Sequence, residues 1–297
     1  MPSDRSQTRW TLYRFSSKPI FVGIVEGTRR MPLPVLRGIA WCIGWAFYPF
    51  VGRLRDAVED NVALVRPGDP AGTRRRTARR LYFSYLRGVA DFWHCAAHYK
   101  PELILPPEQG MEDLRAGGHI LLSSHVGNWE LGGLFLKSQG IPFVVIAQPE
   151  EDPYVEQKRQ EARARFGIDT LLIGEKENIL FKVRERLEGG DNIVLLADRA
   201  FRRDHVPVTL FGERAAFLRT PFLLSRWLGR PIIPMFFMAE PKGGRYRGLR
   251  LEAIEPGPEA EGMAQAYAAR LEEILGRFPW QWYNFFNYRE HCRSVLE

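Results

Sequence analysis

From residue 117 onward the chain alternates short apolar runs with longer amphipathic segments, and this alternation constrains its fold more than any other feature. The apolar runs are four to six residues long. Apolar runs of this length, without interleaved polar residues, are typical of strands buried on both faces of a parallel sheet. The predicted strands of this kind are His119–Ser124, Phe143–Ala147, Thr170–Ile173 and Ile193–Ala197.

Helical patterns separate these strands, and three more strands follow them. The predicted helices are Trp129–Ser138, Tyr154–Phe166, Glu177–Glu188, Arg219–Leu228 and Glu261–Gly276, and the further strands are Val206–Leu210, Ile232–Phe237 and Gly248–Ile254. This order predicts an α/β fold with a largely parallel central sheet flanked by helices. We assign residues 117–297 to the α/β part and residues 1–116 to a helical, membrane-associating N-terminal part, with no flexible linker between them.

Positive charge is concentrated at the N-terminal end of the chain. The net charge is +7, but residues 1–100 alone contain 17 basic and 7 acidic side chains, so the rest is slightly negative. Five arginines lie between Arg74 and Arg80. Such an end suggests an anionic partner, either a membrane surface or a nucleic acid. We favour the anionic membrane surface and expect no nucleic acid, because no recognised nucleic-acid-binding motif accompanies the arginines.

The longest apolar stretch, residues 31–52, lies in this basic end. Its uncharged part, Gly38–Gly52, has fifteen residues, whereas a membrane-spanning helix needs about 20. It is rich in the aromatic side chains favoured at membrane interfaces. Two interpretations stay open: a helix that dips into the membrane, or a buried core helix. The start of the chain has no apolar core or cleavage site of a secretory signal, so we expect none.

The cysteines and histidines do not indicate a metal or disulfide site. Cys42, Cys95 and Cys292 are scattered, and no pair has the spacing of a zinc site, so a reducing compartment is expected. His94 and His98 are four residues apart, but no third metal ligand is evident. Neither a Walker A loop nor a GxGxxG motif occurs, so we expect no nucleotide, no metal and no other cofactor.

The most informative segment begins where the first buried strand ends, at Ser123 and Ser124. The strand end places His125 at the carboxyl edge of the sheet, where open α/β sheets bind their ligands. Gly127 permits a sharp turn into a helix whose N-terminal amides suit a developing oxyanion. Glu130 is predicted to fold back on the imidazole and fix its tautomer, leaving the other nitrogen to accept a proton. The alternative is that His125 caps the helix and Glu130 is a solvated acid.

The sequence lacks the G-x-S-x-G motif of the hydrolases that form an acyl-enzyme. A His/Glu base without such a nucleophile favours direct transfer of an acyl group to an alcohol.

Several segments, in order along the chain, resemble the late acyltransferases of lipid A biosynthesis, which belong to the wider set of glycerolipid acyltransferases with a His-x4-Asp/Glu motif. An apolar N-terminal helix with arginines comes first. The matching segments after it are His125–Glu130, Gly190–Arg199, Val208–Gly212, Arg230–Pro234 and Pro279–Trp282.

The resemblance implies an enzyme at the cytoplasmic face of a bacterial inner membrane. It would move a fatty acyl chain from an acyl carrier protein or coenzyme A thioester to a hydroxyl of a lipid. His125 would be the general base and Glu130 its partner, while Asp198 would hold a head group or a catalytic arginine, or else cap a strand end. The residues assigned to the substrate side are Gly127, Asn128, Asp198 and Arg199.

Two departures from the family pattern concern the acceptor. Gln148-Pro149 stands where the family often has Arg-Pro, which argues against an acceptor phosphate at that position, and the C-terminal part continues with the aromatic segment Tyr283–Phe286. The acceptor is therefore a lipid A precursor or another bacterial lipid, such as an ornithine lipid or an aryl polyene. A non-catalytic membrane lipid-binding protein and a thioesterase are the other open alternatives.

Overall fold

The computed structural model describes residues 26–28, 30–98, 103–105, 107, 110–150, 152–173, 179–241 and 244–297. The first 25 residues of the N-terminal part and the start of the helix predicted from Glu177 lie outside the described residues. The strands are β1 (Ile104–Leu105), β2 (Ile120–Ser123), β3 (Phe143–Ala147), β4 (Asp169–Leu172), β5 (Asn192–Leu196), β6 (Val206–Leu210), β7 (Glu213–Phe217), β8 (Ile232–Ala239) and β9 (Tyr246–Arg250). The helices are α1 (Leu33–Phe47), α2 (Gly52–Val65), α3 (Ala71–His98), α4 (Glu112–Ala116), α5 (Trp129–Ser138), α6 (Pro153–Ala164), α7 (Ile179–Glu188), α8 (Thr220–Leu228), α9 (Ala260–Arg277) and α10 (Tyr288–Leu296).

Seven strands form one sheet in the order β1-β9-β8-β2-β5-β3-β4. Every neighbouring pair is parallel except β8 with β9. The predicted α/β fold with a largely parallel sheet is therefore confirmed. Strand β2 lies at the centre, with Ile120 paired to both Ile193 of β5 and Ile232 of β8. All residues of β2 and β8 are buried, as their uninterrupted apolar sequences predict.

The predicted strand Val206–Leu210 exists but lies outside this sheet. It pairs with β7 in a separate antiparallel hairpin, and its residues are alternately buried and exposed. Its exposed positions are Pro207 and Thr209, whereas every residue of β2 and β8 is buried. The strand β7 was not predicted, because its sequence Glu-Arg-Ala-Ala-Phe has no β-branched residue.

Helix α1 packs one side on α3 and leaves the other side exposed. The close approach depends on Gly44, since a side chain at this position would collide with Phe83. Exposed apolar residues cover the outer side: Val35, Ile39, Trp41, Ile43, Trp45 and Phe47, followed by Phe50 in the next turn. The interpretation of this segment as a buried core helix is therefore wrong. Within the described residues, no single helix has both the length and the apolar composition to cross a membrane. One pair of consecutive helices among them meets both criteria together: Leu33–Phe50, which is α1 with its short continuation, and α2, with a 97° bend between them.

The N-terminal helices pack on the α/β part in three apolar clusters. In one of them, Val58 of α2 and Leu81 of α3 pack with Tyr283 and Phe285. The buried Asn61 side chain donates hydrogen bonds to the carbonyl oxygens of residues 284 and 286, both at 2.8 Å. These contacts anchor the C-terminal segment beneath the helices, and the division at residue 116 stays a prediction.

Candidate active site

Two neighbouring parallel strands end side by side at the carboxyl edge of the sheet. Ser123, the last residue of β2, pairs with Leu196, the last residue of β5. His125 and Asp198 each follow two residues after this pair, and the equal offset brings them together. The His125 backbone N–H and imidazole Nδ1 both contact Asp198 Oδ1, at 2.9 and 2.8 Å. A histidine and a carboxylate thus meet at the sheet edge where ligands of open α/β folds bind.

The Asp198 carboxylate is fully buried and accepts hydrogen bonds at both oxygens. Oδ2 accepts from the Trp282 indole Nε1 at 3.0 Å and from Asn284 Nδ2 at 3.1 Å. Burial alone would raise the pKa of Asp198, but the hydrogen-bonded His125, the Arg199 charge and Trp282 outweigh it and hold the pKa well below its ordinary value. Asp198 is therefore a carboxylate at neutral pH. Its side-chain partners are His125, Trp282 and Asn284, and its expected contact with a head group or a catalytic arginine stays a prediction.

The His125 imidazole is neutral under the same conditions. Burial and the positive charge of Arg199 lower its pKa below the ordinary 6.5, against the opposing effect of Asp198. A neutral imidazole beside a carboxylate donates its Nδ1–H, so Nε2 carries the lone pair. No described residue hydrogen-bonds to Nε2, and the side chain is 17% exposed. The arrangement presents a proton acceptor at an open position and holds it in the correct tautomer.

The Glu130 carboxylate turns away from His125 and binds helix α6. Its Oε1 accepts a hydrogen bond from Arg163 Nη2 at 2.8 Å, and Arg159 Nη1 lies 3.7 Å away. Burial would raise the pKa of Glu130, but these two arginines lower it, so the group is ionised. The expected hydrogen bond between Glu130 and His125 is absent from the described contacts, because two guanidinium groups of α6 lie within its reach. A catalytic role for Glu130 stays a prediction.

Gly127 and Asn128 form the turn between β2 and α5. Gly127 has φ +65°, and a Cβ there would collide with the Phe237 carbonyl oxygen, so only glycine fits. The Asn128 side chain caps α5 by accepting from the Leu131 N–H at 3.2 Å, and it donates to the Gly88 carbonyl at 2.9 Å. The backbone amides at 127 and 128 donate to carbonyl oxygens, so neither is available to an oxyanion. Both residues therefore shape the turn, and their predicted contact with substrate stays a prediction.

The C-terminal segment completes the site. Arg199 donates to Asn284 Oδ1 at 2.8 Å and to the Tyr283 carbonyl at 2.9 Å. The Tyr283 N–H in turn donates to the His125 carbonyl at 2.7 Å. Arg199 therefore ties this segment to the sheet, in addition to its electrostatic effect on the imidazole.

Sequence reasoning missed the roles of Trp282 and Gln281, although it noted the segment Pro279–Trp282. The Gln281 side chain makes two hydrogen bonds to the Ala239 backbone, at 2.7 and 2.9 Å. The backbone carbonyl of Gln281 accepts a hydrogen bond from the Gly127 N–H. The only sequence signal was the resemblance itself, since each contact spans at least forty residues. The part of the chain that the structure describes contains no cluster of three His, Cys, Asp or Glu residues able to hold a metal ion.

Comparison with known proteins gives one family over most of the chain. The family described as bacterial lipid A biosynthesis acyltransferase matches residues 8–288. Two phosphatidylinositol mannoside acyltransferases are also similar. That of Mycolicibacterium smegmatis is 27% identical over 169 residues, which is 56% of this chain and 55% of the relative. That of Mycobacterium tuberculosis is 27% identical over 172 residues, or 57% of this chain and 54% of the relative. The chain spans about half the length of the curated relatives it matches.

Proposed function

Because this chain belongs to the bacterial lipid A biosynthesis acyltransferase family, we propose that it transfers a fatty acyl chain from a thioester to a hydroxyl of a membrane lipid, with His125 as the general base. One observation carries the proposal: the hydrogen bond from His125 Nδ1 to the buried Asp198 carboxylate, at 2.8 Å. It leaves Nε2 of a neutral imidazole directed away from its anchor and able to accept a proton.

The reaction follows directly from this geometry. Nε2 takes the proton of the acceptor hydroxyl while the hydroxyl oxygen forms a bond to the thioester carbonyl carbon. The tetrahedral intermediate then collapses, the carbon–sulfur bond breaks, and the imidazolium returns the proton to the leaving thiolate. Asp198 stabilises the imidazolium electrostatically and stays ionised throughout, because its pKa lies far below that of the base. No covalent acyl-enzyme and no cofactor enter this scheme.

Glu130 has a positioning role in this proposal. It holds Arg163, and Arg159 lies between Glu130 and Glu150, 2.5 Å from Glu150 Oε1. The charge of Arg159 also reaches His125, whose pKa it helps to lower. Arginines beside the base are suited to stabilise negative charge that develops on the thioester carbonyl oxygen. Glu130 would then act on the reaction through these guanidinium groups.

The proposed location is the cytoplasmic face of the inner membrane. The exposed apolar side of α1 supports it, with Trp41 at 57% and Phe50 at 80% exposure. Beside it lies an open cavity of about 430 Å³. Four arginines outnumber two carboxylates in its lining, which consists of Tyr48, Arg55, Asp56, Glu59, Arg75, Arg76 and Arg79. Apolar side chains next to arginines suit insertion into the interface of an anionic membrane. The proposed donor is an acyl carrier protein or coenzyme A thioester, and the proposed acceptor is a lipid A precursor or a related bacterial lipid.

The test is acyl transfer by the full chain with a labelled acyl thioester and bacterial lipid extract. His125→Ala should abolish formation of acylated lipid. His119→Ala is a matched control, because His119 makes the same pair of contacts, at 3.1 Å each, to Asn192 at the other end of β2 and β5. Undiminished transfer by His125→Ala contradicts the mechanism. Release of free fatty acid without acylated lipid favours a thioesterase, and no turnover by the wild type favours a lipid-binding protein.

A further inference from the structure

A second cavity, of about 340 Å³, opens between the N-terminal helices and the turn that follows β8. Helices α1 and α3, the turn after β8 and the short helix Pro279–Gln281 enclose it. Its size is within the range of small-molecule sites in proteins, which begins at roughly 300 Å³. The lining residues that matter here are Arg37, Trp41, Arg80, Ser84, Arg87 and Trp280.

Positive charge in this cavity exceeds the negative charge that faces it. Arg37 is paired with the buried Asp91, at 2.7 and 3.0 Å. The same carboxylate accepts from the Tyr246 hydroxyl and lies 3.7 Å from Arg87 Nε, which is too far for a hydrogen bond. Glu240 also lines the cavity, but Arg247 binds it at 2.6 Å. Two arginines of the cavity, Arg37 and Arg87, therefore share one carboxylate, Asp91, and Arg80 adds a third positive charge.

Two of these guanidinium groups have unused hydrogen-bonding capacity. Nε and Nη2 of Arg87 are buried and have no hydrogen-bond partner among the described residues. The Arg80 guanidinium stacks on the Trp280 ring, with 3.5 Å from Cζ to the ring centroid. Burial and the nearby Arg87 charge lower the pKa of Arg80, as expected for two cations without a counterion between them. Buried donors of this kind fit an anion with several acceptor oxygens.

The cavity lies between the exposed apolar side of α1 and a serine that contacts Tyr283, the residue bound to the His125 backbone. Trp41 contributes one ring to the cavity and to the exposed apolar side of α1. Ser84, on the opposite wall, hydrogen-bonds to the Tyr283 hydroxyl at 3.0 Å, and the Tyr283 backbone contacts His125. A lipid whose chains lie in the membrane beside α1 would therefore place its head group between Trp41 and Ser84.

We propose that this cavity binds the phosphate-bearing head group of a lipid through Arg80 and Arg87, with Trp280 as the stacking wall behind Arg80. That this lipid is the acyl acceptor rests on the proposed function. Guanidinium groups bind phosphate oxygens with directed pairs of hydrogen bonds. The position differs from that of Gln148, where the sequence argued against a phosphate contact.

The test measures binding without turnover. Monomeric dihexanoyl phosphatidylglycerol and neutral dihexanoylglycerol are titrated into the full chain by calorimetry. We expect binding of the phospholipid only, weakened roughly tenfold by Arg80→Gln or by Arg87→Gln, since each variant loses a charge-assisted contact. Arg74→Gln is the matched control, because Arg74 lies on the same helix and lines neither cavity. Equal affinities of all three variants, or no binding by the wild type, overturn the proposal.

Three further arms separate the remaining explanations. Arg80→Lys keeps the charge and should bind more tightly than Arg80→Gln, which excludes a general folding defect. Binding of 4′-phosphopantetheine with the same dependence on Arg80 and Arg87 would assign the cavity to the thioester donor and overturn the lipid assignment. His125→Ala should bind the phospholipid like the wild type. Intact binding without acyl transfer by the wild type would refute the proposed function and leave the head-group site standing.

Discussion

Replacing Asp198 by asparagine tests the assignment of the His125 partner with almost no change in size. Asp198 accepts four hydrogen bonds, two from His125 at Oδ1 and one each from Trp282 and Asn284 at Oδ2. An amide has one acceptor oxygen and one NH₂ group, so its NH₂ must face one of these two pairs of donors. In either orientation the NH₂ faces two groups that donate to the carboxylate in the wild type.

Either orientation damages the base. If the NH₂ faces His125, the imidazole accepts at Nδ1 and carries its proton on Nε2, where it cannot act as a base. If the oxygen faces His125, the tautomer is kept but the charge that stabilises the imidazolium is lost. The hydrogen bond between the imidazolium and the charged carboxylate contributes about 1.5–3 kcal/mol in the transition state, so its loss alone lowers the rate by about 10 to 10².

The assay is single-turnover acyl transfer over a pH series on both sides of neutrality, with thermal unfolding of each variant measured in parallel. Glu130→Gln is the comparison, because it removes the other candidate carboxylate but leaves the contacts of His125 unchanged. Asp198→Asn should shift or abolish the pH dependence of the rate. Glu130→Gln should lower the rate without changing the pH at which the imidazole titrates. A rate of Asp198→Asn within about threefold of the wild type, which is less than about 1 kcal/mol, would refute the assignment.

Three other predictions follow from single contacts. Arg199→Gln removes a charge that lowers the pKa of the His125 imidazole, so the acid limb of the kcat/KM profile should move to higher pH. Arg199→Lys keeps the charge and should leave this limb below pH 6.5. Acid limbs at the same pH in both variants would contradict this. Gly127→Ala should lower the free energy of unfolding, measured with denaturant, by about 3 kcal/mol or more. Gly140→Ala should lower it by about 1 kcal/mol, because Gly140 also has positive φ but has open space around it. Equal losses of stability would refute the predicted collision at Gly127. Phe50→Ser should weaken binding to anionic vesicles, measured by sedimentation, by roughly tenfold or more. Phe181→Ser, which changes an exposed side chain on helix α7, should not weaken this binding. Unchanged sedimentation of Phe50→Ser with vesicles would argue against the proposed membrane-facing role of α1.

The central strands and the position of the candidate base could be predicted from the sequence, because both are local properties. Phe143–Ala147 was predicted with the bounds the structure has, and His125 lies at the carboxyl edge as expected. An apolar run indicates a buried strand, and a polar residue after such a run indicates where the strand ends. The predicted helices and strands therefore needed no knowledge of the tertiary arrangement.

The hydrogen-bond partner of the His125 imidazole could not be predicted from local sequence in this way. Asp198 is 73 residues away, and the two meet only because β2 and β5 are neighbours in the sheet. Sequence order does not determine strand order, so local spacing favoured Glu130 instead. Glu130 itself binds an arginine 33 residues away on α6. Both contacts have one origin: a charged side chain pairs with the nearest suitable partner in space, and here those partners come from distant elements.

The two ends of the β2–β5 pair show why a histidine beside a strand is not enough for a base. At the other end, His119 also contacts one side-chain oxygen through its N–H and Nδ1, but that oxygen belongs to the Asn192 amide. Asn192 Nδ2 donates to the carbonyls of Leu114 and Pro142, both at 2.8 Å, whereas the corresponding atom of Asp198 accepts from two N–H groups. The surroundings therefore dictate an amide at one end and a carboxylate at the other.

A prediction follows for the end that has no catalytic assignment. Asn192→Asp places a buried carboxylate against two carbonyl oxygens, so it should destabilise the fold by about 3–5 kcal/mol. These oxygens favour the protonated acid and raise its folded pKa above the unfolded value of about 3.9, so the loss of stability should grow as pH rises from about 5 to 8. Urea unfolding at both pH values measures it. A loss of stability that does not change with pH would mean that water or a backbone shift relieves the carboxylate, and the contrast between the two ends would then not explain why only one of them carries an acid.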